Sequence, residues 1–207
     1  MKKKLTAMVC LLGLSAAFLA GCGGGATESS TPGSADSSTT SSAPVDKGPK
    51  TTTNFSELGQ FNMETIDGKA FTSDDLKGHK LTLVNLMGTF CNPCIAEMPD
   101  LEKLNQEMKD KGVQVIGVVV DTTDGGKDVP ESIEKAQKIK KETGVTYPLC
   151  KPDDVILGQV LKGVTTFPSS YLVDENGKVV GEGYAGARTF DQWKDIVNSA
   201  LAQVESK

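Results

Sequence analysis

Histidine is almost absent from this chain: its 207 residues include one, His79. A structural zinc site takes four ligands at regular spacing. The pair Cys91 and Cys94 has no second CxxC to complete such a set, so no metal is expected. Copper of the CxxxC-plus-downstream-histidine kind is excluded as well, because here the spacing is CxxC and the histidine lies upstream, in a polar loop that reads as surface. Basic residues are also in deficit, 22 Lys and Arg against 27 Asp and Glu, a net charge of −5. That balance argues against nucleic acid as a partner and gives no electrostatic reason to lie on an anionic bilayer. Long apolar runs are missing too. The longest, Leu5 to Ala20, has 16 residues, where a spanning helix needs about 20.

What is present begins with that short run. Met1-Lys-Lys-Lys4 precedes it and Gly21-Cys22 follows, the layout of a signal peptide. Leu19-Ala20-Gly21-Cys22 resembles the bacterial lipobox. Residues 1–21 are therefore expected to be removed and Cys22 to carry the lipid that anchors the chain to the extracytoplasmic face of the cell membrane, acyl chains being strong anchors when there are two or more. Cys10 falls in the removed part. Its loss takes three lysines and no acid, leaving 19 basic against 27 acidic residues and a net charge of −8. Residues 22–54 are rich in Ser, Thr, Gly and Pro and nearly free of large apolar side chains. They cannot bury a core and are expected to form a disordered tether with a reach of about 30 Å. Residues 55–207 are expected to form one domain.

The domain is organised around Leu81 to Leu101, LTLVNLMGTFCNPCIAEMPDL. Leu81, Leu83, Val84, Leu86 and Met87 form a near-continuous apolar run that suits a central strand covered on both faces, and Asn85 is its one polar interruption after Thr82. Gly88-Thr89 ends it, and a helix is expected from Asn92 to Lys109 with a kink at Pro99. Cys91 falls at the start of that helix, where unpaired N–H groups and the macrodipole favour an anion. There a thiol whose free pKa is about 8.5 can drop to roughly 3.5–7.5, and the thiolate is the nucleophile of thiol–disulfide exchange. Cys94 lies one turn on, on the same face, and can resolve a mixed disulfide. Pro93 has no N–H to lose in the first turn. Glu97 has two readings, a solvated helix carboxylate or a proton carrier for Cys94.

Around this centre the pattern predicts a hairpin, Phe61–Thr65 and Lys69–Thr72 about Asp67-Gly68. One helical turn at Ser73–Gly78 follows, and a second buried strand at Val113–Val120. A polar loop is expected over Asp121–Val129, then a helix from Pro130 to about Glu142 that ends at Gly144 and forms a crossover. A short strand is expected at Tyr147–Cys150, and a helix through Leu161 capped by Asp153 or Asp154. Glu175–Lys178 reads as the turn between Tyr171–Val173 and Val179–Gly183. The last helix, Thr189 to about Val204, carries Phe190, Trp193, Ile196, Val197, Ala200 and Leu201 as a core stripe. Cys150 is either a buried small hydrophobe or a third redox thiol.

LVNLMGTFCNPCIAEMP also resembles the active-site segment of thioredoxin-fold proteins, and most closely that of the extracytoplasmic TlpA/ResA group; the likeness runs from about Phe61 to Ala202. Pro99 matches the thioredoxin helix-kinking proline, and Glu97 the glutamate of the AEMP or KEFP stretch. Phe90 departs from the group, which usually has Trp there; it keeps the aromatic cover and loses the indole N–H. The resemblance implies a thioredoxin-like α/β fold: a central mixed β-sheet with helices on both faces, an N-terminal β-hairpin and a crossover helix insertion. It implies that Pro168 is the cis-proline opposite the CxxC. Phe167, where smaller residues are common, would offer its backbone to an extended substrate segment, with Phe90, Asn92 and Pro93 beside it. The implied activity is thiol–disulfide exchange in the reducing direction, without metal or organic cofactor. Electrons would come from a membrane protein of the CcdA/DsbD type, and the clients would be disulfide-containing proteins such as apocytochromes c or a methionine sulfoxide reductase. Two rival readings are a thiol peroxidase of the AhpC/TSA type, whose P-x-x-x-T/S-x-x-C pattern is missing around Cys91, and a non-catalytic lipoprotein that uses the fold to bind.

Overall fold

The computed structural model describes Asp46, residues 48–51 and residues 53–206. The expected signal peptide, residues 1–21, the expected lipid-bearing Cys22 and most of the expected tether lie outside the described residues.

Lys50–Thr51 (β1) is followed by the predicted hairpin, Asn62–Thr65 (β2) and Ala70–Thr72 (β3), paired antiparallel with Met63 opposite Phe71. Thr72 caps a single 3-10 turn, Ser73–Leu76, through a reciprocal bond with Asp75. The apolar run then forms Leu81–Met87 (β4), every residue of it buried. Asn92–Met108 (α1) follows and carries Pro99 in its interior. Val113–Val119 (β5) pairs parallel with β4 along its whole length.

The polar stretch after β5 differs from the expected loop. It folds into a small hairpin, Thr123–Asp124 (β6) and Lys127–Asp128 (β7), about Gly125-Gly126. Both glycines have positive φ, 53° and 76°, the requirement of a tight two-residue turn. Pro130–Thr143 (α2) ends on Gly144 in the left-handed region, and Leu149–Lys151 (β8) returns parallel to β5, completing the crossover. Asp153, rather than Asp154, caps the next helical segment: its Oδ1 accepts the N–H of Ile156 at 2.9 Å, and the segment is π-helical over Ile156–Val160. Ser169–Val173 (β9) turns at Asp174–Lys178, but the return strand forms later than predicted. Val179 only bridges Val173, and regular pairing resumes at Gly183–Ala185 (β10). Phe190–Glu205 (α3) closes the chain with a Thr189–Gln192 capping box.

Among the described residues the main sheet runs β1-β10-β9-β4-β5-β8-β2-β3, a mixed sheet with β4 and β5 at its centre. Strand alternation sorts the core into two layers. Leu81, Leu83, Met87, Val113 and Val115 face α1, α2 and α3. Val84, Leu86, Ile116 and Val118 face the hairpin, Leu76 and the helical segment of Ile156 and Val160. The folded part also begins earlier than residue 55. β1 pairs with β10, and Asp46 is bound to Arg188, so the end of the expected tether belongs to the edge of the sheet.

Candidate active site

β4 and β5 run parallel and end together, and the loop after β4 is fixed there by its neighbour. Thr89 donates its backbone N–H to Asp121 Oδ1 at 2.9 Å and its hydroxyl to Asp121 Oδ2 at 2.5 Å. Gly88 leaves room for the Phe90 ring: a Cβ there would lie 2.5 Å from it. Phe90 stands 60% exposed, with its ring edge-on to Phe167 at a centroid distance of 6.2 Å.

Cys91 is the N-cap residue of α1, and its Sγ accepts the backbone N–H of Cys94 at 3.3 Å. The two cysteines form a disulfide across a Cα–Cα distance of 5.3 Å. Their access differs: Cys91 retains 7% exposure and Cys94 none. An incoming sulfur can therefore reach Cys91 and not Cys94. Asn92 and Pro93 are exposed on the outer turn of the helix. The register of β9 against β4 sets Ser169 beside Leu86, so Pro168 is level with the start of the cysteine loop. The Phe167–Pro168 peptide is cis, and Pro168 accepts the N–H of Gly186 through its carbonyl at 2.8 Å. Phe90, Cys91, Cys94, Phe167 and Pro168 thus converge at one end of the sheet.

Glu97 lies beneath them. It is three residues past Cys94 on α1, which places the two side chains on one face, and it is 2% exposed. Of its two readings, the solvated surface carboxylate does not hold. Oε1 accepts the backbone N–H of Arg188 and the indole N–H of Trp193, each at 2.8 Å; Oε2 accepts from Asn85 Nδ2 at 3.3 Å. Asn85 also donates to Ser170 on the neighbouring strand, at 3.0 Å. Burial pushes the Glu97 carboxyl up from 4.5 to about 7, and the three donors and the nearby Arg188 charge only partly offset it. The group therefore exchanges its proton near neutrality. Glu97 also contributes to the lining of a groove of about 260 Å³, shared with Pro93, Ala96, Ala187 and Thr189.

Four of these partners were not singled out as functional in the sequence. Asn85 had a signal, a polar residue inside a buried strand at a position that alternation directs towards α1. Trp193 reads as part of a core stripe, and it is buried as that stripe requires, but its N–H is spent on Glu97. Ser170 and Arg188 had no local signal, because their role comes from strand register and loop packing. Cys150 is separated from the site by the sheet. It packs in the layer opposite Cys91 and Cys94, fully buried, and burial pushes its thiol up to about 12. His79 sits in the loop before β4, partly exposed.

A thioredoxin-like fold with a CxxC disulfide at the start of its first long helix defines a class of thiol–disulfide oxidoreductases, and comparison with known proteins agrees. Residues 56–181 match the AhpC/TSA family. The thiol-disulfide oxidoreductase ResA of Bacillus thuringiensis (strain Al Hakam) is 34% identical over 145 residues, 66% of this chain and 72% of that protein. ResA of Bacillus subtilis (strain 168) is 30% identical over 145 residues, 69% of this chain and 73% of its own. The crystal structure of a thioredoxin-family thiol:disulfide interchange protein from Chlorobium tepidum TLS superposes with a TM-score of 0.57 at 26% identity, over 74% of this chain and 99% of that one. The chain belongs to the AhpC/TSA family, as a ResA-like thiol–disulfide oxidoreductase of thioredoxin fold.

Proposed function

We propose that this oxidoreductase works through the pair Cys91 and Cys94 in the reducing direction, tethered by a lipid on Cys22 to the extracytoplasmic face of the membrane. The observation that carries the chemistry is the asymmetry of the pair: an accessible sulfur that caps a helix and accepts the N–H of Cys94, beside a fully buried partner.

In the reduced enzyme the Cys91 thiolate attacks one sulfur of a client disulfide and the other client sulfur leaves as a thiolate. Cys94 gives its proton to the Glu97 carboxylate and attacks Cys91. The Cys91–Cys94 bond forms, the second client sulfur leaves, and the client has gained two electrons while the enzyme has lost two. Glu97 releases the proton to solvent through its groove. A client segment held against the backbone of Phe167 and Pro168, with Phe90, Asn92 and Pro93 around it, presents its sulfur to Cys91. The enzyme regains its electrons from a membrane protein of the CcdA/DsbD type. Clients are disulfide-containing proteins, of which apocytochromes c and a methionine sulfoxide reductase are the kinds to test.

The reduction potential tests the direction. A value near −270 mV, about that of thioredoxin, fits a reductant, and one near −120 mV, about that of DsbA, makes the protein an oxidant. Trapping clients on a Cys94→Ala variant in cells then identifies the substrates.

A further inference from the structure

Arg188 reaches Glu97 by more than its backbone. Its side chain is buried and its guanidinium is fully engaged. Nη1 donates to the carbonyls of Ala185 and Gly186, at 3.0 and 2.9 Å. Nη2 donates to the carbonyl of Pro49 at 2.9 Å and to Asp46 Oδ2 at 3.0 Å, with Nε 3.4 Å from Asp46 Oδ1. Asp46 and residues 48–51 lie directly over this cation: a Cβ on Gly48 would lie 2.7 Å from Nη2. Beneath it, the guanidinium carbon is 5.4 Å from the ring centre of Trp193, whose N–H binds Glu97, and 5.1 Å from that of Tyr184. Two physical routes therefore join Arg188 to Glu97. One is the loop whose backbone N–H it donates, and the other is the indole on which its charge rests. Both need the guanidinium in place, and a buried cation needs an anion to stay there. Asp46 is that anion. Although partial burial alone would raise its carboxyl, bonds from Arg188 and Lys50 hold it down at about 2, so it is charged throughout the neutral range.

We propose that Asp46 is a positioning residue of the active site: by pinning Arg188 it fixes the loop and the indole that hold the Glu97 carboxylate, and so couples the N-terminal edge of the fold to the thiol chemistry. The proposal rests on the reading of Glu97 as the proton carrier and adds what controls it. The groups facing Glu97 are Asn85 from β4, Trp193 from α3, Arg188 from the loop before α3 and, at longer range, the phenol of Tyr147 ahead of β8. The Asp100 carboxyl, one turn on along α1, lines the same groove without bonding Glu97; among the groups that bond Glu97 or pack on it only Arg188 is charged, so Asp46 acts on Glu97 by way of Arg188.

The test follows the side-chain carboxyl carbon of Glu97 by NMR across pH in the oxidised full chain, together with the rate of disulfide exchange over the same range. Asp46→Asn keeps the size and one acceptor but removes the charge. The anion that holds the guanidinium is then gone, the loop and the indole lose their hold on the carboxylate, and the midpoint should rise by about half a pH unit or more. Asp46→Glu should return it to the wild-type value. Arg188→Gln removes the cation and should raise the midpoint as well. If Asp46 served only the stability of the sheet edge, Asp46→Asn would lower the melting temperature and leave the midpoint in place. A fall, or no change, therefore overturns the proposal even if Arg188→Gln does not fold. If the midpoints move as expected while the exchange rate ignores them, the coupling through Asp46 stands and the proton-carrier reading of Glu97 fails.

Discussion

At the scale of single residues, the two cysteines differ in access, which in the proposed reaction makes Cys91 the attacking and Cys94 the resolving sulfur, and Glu97 is tuned by what surrounds it. Replacing Glu97 with Gln keeps the size and most hydrogen bonds but removes the proposed proton carrier. General acid–base help is commonly worth 10²–10⁴ in rate, so stopped-flow exchange with a model disulfide should slow by roughly 10²-fold at neutral pH. The step in rate near pH 7 should also disappear. Trp193→Phe is a gentler probe. It preserves the packing of α3 and removes one donor to the ionised form, so the Glu97 midpoint should move further up, observable by the same carboxyl titration. A midpoint that stays in place would mean that the indole N–H does not act on the carboxylate. The cysteine pair was legible in the sequence because spacing and a preceding apolar strand suffice to place it. The Glu97 cage was only half legible. Asn85 betrays itself as a polar residue in a buried strand, whereas Arg188 and Ser170 gain their meaning from contacts 91 and 85 residues away.

At the scale of elements, the strand-to-helix turn that bears Cys91 is held from outside itself, by Asp121 at the end of β5. Both Thr89 bonds go to this one carboxylate. Asp121→Ala should cost about 2 kcal/mol of stability, the size expected when a charged acceptor is withdrawn from a partly buried donor. It should also slow attack by Cys91, seen as reduced alkylation by iodoacetamide at fixed pH; unchanged stability and reactivity would mean that the turn holds its own shape. The elements themselves were largely legible, since β4, β5, α1, α2, α3 and the β2–β3 hairpin announce themselves by periodicity and turn residues. The misses are physical. The β6–β7 hairpin is too short and polar to show alternation, although Gly125-Gly126 marked its turn. β10 starts late because the chain leaves the sheet after Val180, at Gly181 with its positive φ, before rejoining it. β1 has no pattern of its own and exists because Arg188 and β10 receive it.

At the scale of the whole molecule, burying a carboxyl that titrates near 7 has a thermodynamic signature. The folded state binds a proton more tightly than the unfolded chain, whose carboxyl titrates near 4.5. The favourable contribution is therefore complete below about pH 4.5 and is lost as pH rises through about 7. At about 1.4 kcal/mol per pH unit the loss is about 3 kcal/mol. Denaturant titrations of the oxidised protein should show stability falling across this window, and Glu97→Gln should flatten the fall; an equal slope in the variant would place the effect elsewhere. The lowered carboxyls of Asp46 and Glu102 act at more acid pH and do not overlap it.

Net charge adds a constraint on the redox centre. The chain is acidic, at −5, so its overall field disfavours a thiolate, and any acidity of Cys91 must be local. A helix start contributes up to about 2 kcal/mol to a neighbouring anion, which is worth more than one pH unit. The central measurement is the pH dependence of Cys91 alkylation in the reduced protein, with Cys94 replaced by Ala so that one reactive sulfur is read. The account predicts a midpoint at least about one pH unit below the value near 8.5 of free cysteine. A midpoint at or above that value would contradict it.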